Sequence, residues 1–338
     1  MSGAVDLRRR LLEIVDRFPT VRLAVWGDFV VDEFLLGQVN RISREAPVLI
    51  LDYLEDQRVP GGAANTAANI AALDATPVPV GVVGDDATGH ALLDIMARQG
   101  MDVGGVLVRP ELTTPTKTRI SGAGLHTTRQ QIVRIDRGTP HTLAPSLRRK
   151  LASTAGEIAR DCAGLVVGDY GYESVEPAAV RRLARDLSPR LVAVDSRWRL
   201  LKFRGATALT PNEPEVQAAL DISLEQPGDD RLPAAGVELL KRLDCASLVI
   251  TRGSKGMAVF TRRRRKPLLI PVYGTDEVAD VTGAGDTVMA VYALALAARA
   301  RPHEAAHLAN FAGGLVVMKQ GTATISRREL RRAIRSLR

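Results

Sequence analysis

The segment "DVTGAGDT", residues 280–287, sets three small residues, Gly283, Ala284 and Gly285, directly ahead of a carboxylate, Asp286. A helix-forming apolar run, "VMAVYALALAA", follows. A glycine-rich turn opening a helix suits an anion, because free N–H groups and the positive end of the dipole meet there. A carboxylate beside such donors can take a proton from an alcohol while the donors hold the charge building on a migrating phosphoryl group. Phosphoryl transfer asks little more of a protein than positioning, charge stabilisation and a base. Taken alone, the same segment also reads as an ordinary helix start with Asp in its first turn.

Two further motifs bear on that choice. "PGGAANTAANIAAL" (60–73) leads into a helix of small residues. Gly61 and Gly62 would let a substrate approach the backbone, and Asn65 offers both a donor and an acceptor; an ordinary turn reads equally well. "TPNEPE" places Asn212 and Glu215 three apart at a strand end. That spacing suits a hydrated Mg²⁺ near nucleotide phosphates, and it equally suits a helix-capping box. The chain has no G-x-x-x-x-G-K-[ST] segment, so a P-loop is excluded.

The elements that must position these residues follow from recurring short β-branched runs, each trailed by a helical pattern. Examples are "RLAVWGD" (22–28), "LVVGDY" (165–170), "RLVAVDS" (190–196), "ALTPNEPE" (208–215) and "SLVITRG" (247–253). Buried strands alternating with helices predict an α/β fold, a mostly parallel sheet covered on both faces. Ligands bind beyond the carboxyl ends of such strands, where Asp28, Asp169, Asp195, Asn212 and Arg252 fall. Residues 33–60 and 116–135 break the rhythm as extended, partly alternating segments, and predict a small β layer built from two insertions. One core domain spanning 1–338 and carrying this β lid is the simplest organisation.

Composition narrows the function classes. The 338 residues are 46% hydrophobic, and the longest uninterrupted apolar run, Val288–Ala298, is too short to cross a bilayer. The N-terminal "MSGAVDLRRRLLEIVDRF" reads as an amphipathic helix rather than a signal peptide. Cys162 and Cys245 each precede an apolar strand and are expected to be buried thiols, which fits a cytoplasmic location. The net charge of +8 allows nucleic acid or an anionic small substrate as partner. Its densest run, "TRRRRK" (261–266), lies between two apolar segments and reads as a solvated hairpin tip. No zinc-finger spacing or RNP-like aromatic strand accompanies it, so no nucleic-acid partner is expected.

The order "GDFVVD", "PGGAAN", "TPNEPE", "DVTGAGDT", "NFAGGLVVMKQGTATIS" resembles the ribokinase-like (phosphofructokinase B) carbohydrate kinases over about Val21 to Ser326. Within that family, "GDFVVDEFLLGQVNRISREAPV", "TKTRI" and "QQIVRID" are most similar to the D-glycero-β-D-manno-heptose-7-phosphate kinases. The resemblance implies a ribokinase-like fold, ATP and Mg²⁺ as cofactors, and Asp286 as the base at the acceptor hydroxyl. Gly283, Ala284 and Gly285 would form the anion hole. Asp28, Asp32, Gly61, Gly62, Asn65 and Asp169 would serve the sugar. Asn212 and Glu215 would organise Mg·ATP, with Glu215 reaching the metal through water. Arg252, Gly253, Gly256 and Asn310 would serve the nucleotide. Asp280 and Thr282 match positions beside a K⁺ site in members that use one. Lys117, Arg119 and Arg134 are the candidate cations for a phosphate already on the sugar. Lid strands in the family often pair between subunits, which implies a homodimer.

One departure stands out. Heptose kinases of this type read Asp-Tyr-x-Lys-Gly after the strand matching "LVVGDY", whereas this chain has "DYGYES", with Tyr172 in place of Lys and Glu173 in place of Gly. A different sugar, sugar phosphate or nucleoside is therefore the alternative acceptor, and a non-enzymatic sugar or nucleotide sensor is a third reading. No His-x-Gly-His motif occurs, so the nucleotidyltransferase half of bifunctional ADP-heptose synthases is not expected.

Overall fold

The computed structural model describes residues 2–123, 129–138, 142–224, 231–264, 266–274 and 279–337. In chain order the strands are β1 (Arg22–Gly27), β2 (Phe29–Ile42), β3 (Leu49–Gly62), β4 (Thr76–Gly84), β5 (Val106–Arg109), β6 (Thr116–Ala123) and β7 (Gln130–Arg137). They continue as β8 (Gly164–Asp169), β9 (Leu191–Ser196), β10 (Ala208–Leu209), β11 (Ser247–Thr251), β12 (Met257–Thr261) and β13 (Leu268–Ile270). The helices are α1 (Ser2–Asp16), α2 (Ala63–Ala72), α3 (Ala87–Arg98), α4 (Pro145–Arg160) and α5 (Pro177–Asp186). After these come α6 (Glu213–Leu220), α7 (Leu232–Leu243), α8 (Ala284–Ala297), α9 (Pro302–Val316) and α10 (Arg327–Arg335).

Nine strands form the main sheet in the order β13-β12-β11-β10-β9-β8-β1-β4-β5. Pairing is parallel from β11 to β5 and antiparallel only at β11–β12–β13. Period-2 alternation explains why these strands read as continuous apolar runs. On β1, Leu23 and Val25 enter one core with α1, α2, α3, α8, α9 and α10, while Ala24 and Trp26 enter a second core with α4, α5, α6 and α7. Both faces are covered, so both sets must be apolar.

Helix α8 lies so deep that Val288 to Ala295 are all buried. A helix enclosed on every side has no polar face, which accounts for its unbroken apolar sequence. Ala63, Ala64, Ala67 and Ala68 of α2 sit in the same core. Among the described residues, no helix is long and apolar enough to cross a membrane.

The β layer expected from the two irregular segments is a separate four-stranded sheet, β3-β2-β6-β7. Its strands run farther than expected at 33–60, because β2 begins one residue after Asp28, which follows β1, and β3 runs directly into α2. Strand β7 ends at Arg137, two residues beyond the expected limit, and 124–128 lie outside the described residues. Register places Asp32 opposite Lys117 on β6, Lys117 opposite Asp136 on β7, and Arg119 opposite Arg134. Alternation therefore puts Asp32, Phe34, Lys117, Arg119, Arg134 and Asp136 on one face.

The arginine run lies at the β12–β13 turn, with Arg262, Arg263, Arg264 and Lys266 exposed; Arg265 is outside the described residues. Both cysteines are buried and unbridged, and burial pushes the Cys245 thiol up to about 12.

Candidate active site

Helix α8 begins where Gly283 adopts φ +76°, a left-handed conformation that glycine tolerates. A Cβ at that position would stand 2.7 Å from Asn65 Nδ2. The close approach brings α2 and α8 together and sets Asp286 against Asn65. Asp286 is 8% exposed, and its Oδ2 accepts from Asn65 Nδ2 at 2.7 Å. Asn65 is itself oriented: Asn69 Nδ2 donates to Asn65 Oδ1 at 3.0 Å, and Thr287 Oγ1 donates to Asn69 Oδ1 at 3.0 Å. With Oδ1 engaged, Asn65 turns its amide nitrogen towards the carboxylate. The Tyr170 hydroxyl donates to Asp286 Oδ1. Burial pushes the Asp286 carboxyl up to about 6, against these two hydrogen bonds that favour its ionised form. A carboxyl there is ionised at neutral pH and still basic enough to accept a proton.

The turn ahead of it presents backbone donors, with one change from expectation. Ala284 N–H donates to Val281 O at 3.2 Å, so this amide is engaged within the turn. The amides of Gly285 and Asp286 have no acceptor among the described residues. A Cβ added at Gly285 would find no atom within 4 Å, so open space lies beside these donors. The unengaged donors of this turn among the described residues are therefore the Gly285 and Asp286 amides, while Gly283 shapes the turn.

The lid supplies the roof. Asp32 is 5% exposed; its Oδ1 accepts from Arg119 Nη1 at 2.6 Å and its Oδ2 from Thr322 Oγ1 at 3.0 Å. A Cβ at Gly61 would meet Asp32 Oδ2 at 2.7 Å, so glycine is what lets the carboxylate lie along β3. Gly62, at φ +58°, serves the same close packing against Asp28 O and the Tyr170 ring.

The three candidate cations are not equivalent. Arg119 is neutralised by Asp32. Arg134 binds Asp136 through both Nε and Nη2 at the exposed rim. Lys117 makes no hydrogen bond or ion pair among the described residues, and burial lowers its pKa while Asp32 raises it. Of the three, Lys117 alone has no hydrogen-bond or ion-pair partner among the described residues. Arg197, which the sequence reading passed over, is a second such cation: it stacks on Trp198 and lies near enough to Lys117 and Tyr172 to repel and attract them.

Two residues expected at the sugar, Asp28 and Asp169, anchor loops in the structure. Asp28 is fully buried and accepts from the backbone amides of Tyr170, Tyr172 and Ser174 at 2.8, 3.0 and 2.9 Å. Asp169 is buried and binds Ser196 Oγ at 2.7 Å and the Arg199 guanidinium. Both carboxylates are thus held by partners of their own, as buried carboxylates must be.

On the opposite side, Asn212 and Glu215 form a complete capping box at α6: Glu215 N–H donates to Asn212 Oδ1 at 2.8 Å, and Asn212 N–H to Glu215 Oε2 at 2.9 Å. The capping alternative is therefore realised, and it aims Glu215 rather than disqualifying it. Burial pushes both the Asp195 and the Glu215 carboxyls above their ordinary range, Glu215 to about 7, and the nearby Glu215 charge adds to the rise at Asp195. Hard oxygen donors crowded in this way fit a hydrated Mg²⁺, which would relieve the repulsion.

The turn after β11 is tight. Arg252 N–H donates to Gly256 O at 2.9 Å, and Arg252 Nε binds Glu213 at 2.9 Å. Gly253 and Gly256 sit at φ +54° and +81°; a Cβ at Gly256 would overlap Ile270 O, while Gly253 faces open space. Asn310 is 7% exposed and donates to Pro271 O at 2.9 Å. Asp280 accepts from Thr282 N–H and Gly321 N–H at 2.9 and 3.1 Å, closing the loop that precedes α8.

Tyr170 and Arg197 carried the weakest sequence signals. Each is a single residue just past a strand end, Tyr170 after β8 in the loop that Asp28 folds and Arg197 after β9.

Residues 29–329 match the model of the pfkB family carbohydrate kinases. The chain is 39% identical over 313 residues to "Bifunctional protein HldE" of Geobacter metallireducens, covering 92% of this chain and 62% of that protein. It is 38% identical over 324 residues to "Bifunctional protein HldE" of Hahella chejuensis, covering 94% and 64%. The chain thus spans less than two thirds of the length of these relatives. Its fold is similar to Arabidopsis thaliana ribokinase complexed with ribose and ATP, at TM-score 0.72 and 20% identity over 93% of this chain and 98% of that one. It is likewise similar to Escherichia coli phosphofructokinase-2 in complex with potassium, at TM-score 0.73 and 20% identity over 94% and 99%. Main sheet, lid and family match agree: the chain belongs to the pfkB family of carbohydrate kinases.

Proposed function

We propose that this chain transfers the γ-phosphoryl group of ATP to a sugar hydroxyl, and that the sugar is D-glycero-β-D-manno-heptose 7-phosphate, phosphorylated at C1. The observation that carries the reading is Asp286, a buried carboxylate oriented by Asn65 beside the unengaged amides of Gly285 and Asp286. The sugar hydroxyl gives its proton to Asp286 as its oxygen bonds to the γ-phosphorus, and the bond to the β-phosphate oxygen breaks to release ADP. The Gly285 and Asp286 amides hold the equatorial oxygens of the moving group. Asp195 and Glu215 would hold hydrated Mg²⁺, which screens the phosphates of ATP. Lys117 and Arg197 supply positive charge where a phosphorylated acceptor needs it. Closure of the lid over the sugar would exclude water, the competing acceptor.

We read the chain as one kinase unit with a lid, working as a homodimer, with Asp280 and Thr282 on the side where a K⁺ would sit. The lid motifs support the heptose; the likeness to proteins named "Bifunctional protein HldE" supports kinase chemistry of the same branch. The Tyr172–Glu173 pair favours a second reading, the same chemistry on another sugar or sugar phosphate, because a cation is lost from the loop beside the acceptor. A panel of sugars and sugar phosphates scored by ADP release tests both. Highest kcat/KM with the heptose 7-phosphate supports the first; a hundredfold preference for any other acceptor overturns it.

A further inference from the structure

The Tyr170 side chain stands where the reaction needs room. Its hydroxyl donates to Asp286 Oδ1, and the same oxygen lies 3.4 Å from Asp195 Oδ2. Its backbone amide is held by Asp28 Oδ2 at 2.8 Å. The ring is walled by glycines: a Cβ added at Gly168 would lie 3.2 Å from Tyr170 Cε2, and one added at Gly62 would lie 3.3 Å from Cδ2. Glycine at both positions leaves the room that the ring occupies, with the phenol directed at the carboxylate.

Both oxygens of Asp286 are therefore anchored, Oδ2 by Asn65 on α2 and Oδ1 by Tyr170 after β8. A carboxylate held at one oxygen can still swing about its Cβ–Cγ bond; held at both, its plane is fixed. Each carboxylate oxygen has two lone-pair sites, so Oδ1 can keep the phenol and still accept a sugar hydroxyl.

We propose that Tyr170 is the positioning residue of the base: its phenol fixes the plane of the Asp286 carboxylate so that the free lone pair of Oδ1 faces the acceptor hydroxyl. This rests on reading Asp286 as the base. The groups facing Asp286 are Asn65 from α2, Asp32 from β2, Lys117 from β6, Tyr170 after β8 and Asp195 from β9, with Glu215 on α6 beyond Asp195. Of the neutral neighbours, Tyr170 and Asn65 are the two that donate to the ionised form. Loss of one such hydrogen bond leaves burial less opposed.

The test is Tyr170→Phe, which keeps the ring in its niche and removes only the hydroxyl. With ATP and D-glycero-β-D-manno-heptose 7-phosphate, the acidic limb of the kcat/KM profile moves up by about one pH unit. At pH 7, kcat falls about tenfold while KM for ATP stays within twofold. A limb that stays in place overturns the proposal, whatever happens to kcat. Should the Phe variant fold poorly, uniform 3-fluorotyrosine labelling of the unmutated chain keeps the shape and strengthens the donor; the limb then moves down, and an unmoved limb again overturns the proposal. Asp286→Asn in the same assay separates the two ideas. Turnover within about tenfold of the unmutated chain in that variant defeats the base assignment itself, whereas a loss of about 100-fold or more in Asp286→Asn with an unmoved Tyr170→Phe limb defeats only the role of Tyr170.

Discussion

Arg119 Nη1 lies 2.6 Å from Asp32 Oδ1, and the guanidinium also sits over the Phe34 ring at 5.3 Å, so one side chain ties β6 to β2 within the lid sheet. Both partners are mostly buried. Removing one member of such a pair leaves the other charge stranded, at a cost of roughly 3–5 kcal/mol when fully buried. Arg119→Ala is expected to lower Tm and to raise KM for the sugar at least tenfold, with KM for ATP unchanged. Steady-state kinetics and thermal melts check it; an unchanged sugar KM would show that Asp32 does not bind sugar.

Asp286 sets activity and stability against each other. Asp286→Asn should lower kcat by roughly 100- to 10,000-fold, the usual contribution of a general base. Its folded pKa near 6 lies above the ordinary carboxyl value, so the native state binds more protons than the unfolded chain between about pH 4 and 6. Stability therefore falls as pH rises through that window, on the order of 3 kcal/mol for this group, and activity rises over the same range as the base ionises. Asp286→Asn should melt at or above the unmutated protein at pH 7.5, retain ATP binding by calorimetry, and lose part of the pH dependence of Tm.

Two neighbouring glycines should respond oppositely. Gly283→Ala forces a side chain into φ +76° and against Asn65, costing about 1–3 kcal/mol along with activity. Gly285→Ala meets nothing within 4 Å and improves the first turn of α8, so the fold should gain up to about 1 kcal/mol. Its methyl group would occupy the space beside the anion donors, and turnover should drop at least tenfold. Equal Tm losses in both variants would argue against an open cradle at Gly285.

Lys117 and Arg134 share a face of the lid yet differ in what they already hold. Arg134→Ala breaks an exposed pair with Asp136, worth at most about 1 kcal/mol, and should leave kcat/KM within threefold. Lys117→Met removes an unpaired, half-buried cation and should lower kcat/KM for a phosphorylated acceptor by about 100-fold, a size typical of a charge-assisted hydrogen bond. Competition kinetics with phosphorylated and unphosphorylated sugars measures both.

Glu173 sits at φ +66°, in the left-handed region, and its Oε2 is buried with no hydrogen-bond partner among the described residues. Glu173→Gly removes the backbone strain and the stranded oxygen together. A gain of about 1–2 kcal/mol in a urea titration is expected. A loss would mean that Glu173 has a partner in solution.

The alternation of buried runs with helical segments determined the two-faced sheet, since a strand covered on both sides must be apolar at every position, as β1 is. Local chemistry likewise determined the turn at Gly283–Gly285, the capping box at Asn212–Glu215 and the extended character of the lid. Which polar residues remain available to a ligand was decided by contacts between segments far apart in the chain. Asp28 and Asp169 stand just past or at a strand end and Asp32 lies on β2, yet backbone amides of the loop after β8 hold Asp28, Arg199 and Ser196 hold Asp169, and Arg119 and Thr322 hold Asp32. Lys117, Arg119 and Arg134 alternate identically along their strands, but Asp32 and Asp136 neutralise two of them. Tyr170 acquires its role only when β8 brings it beside α8, 116 residues away. Periodicity is a property of neighbouring residues and survives in the sequence; the satisfaction of a charge or a lone pair depends on distant partners, which only the folded chain brings together.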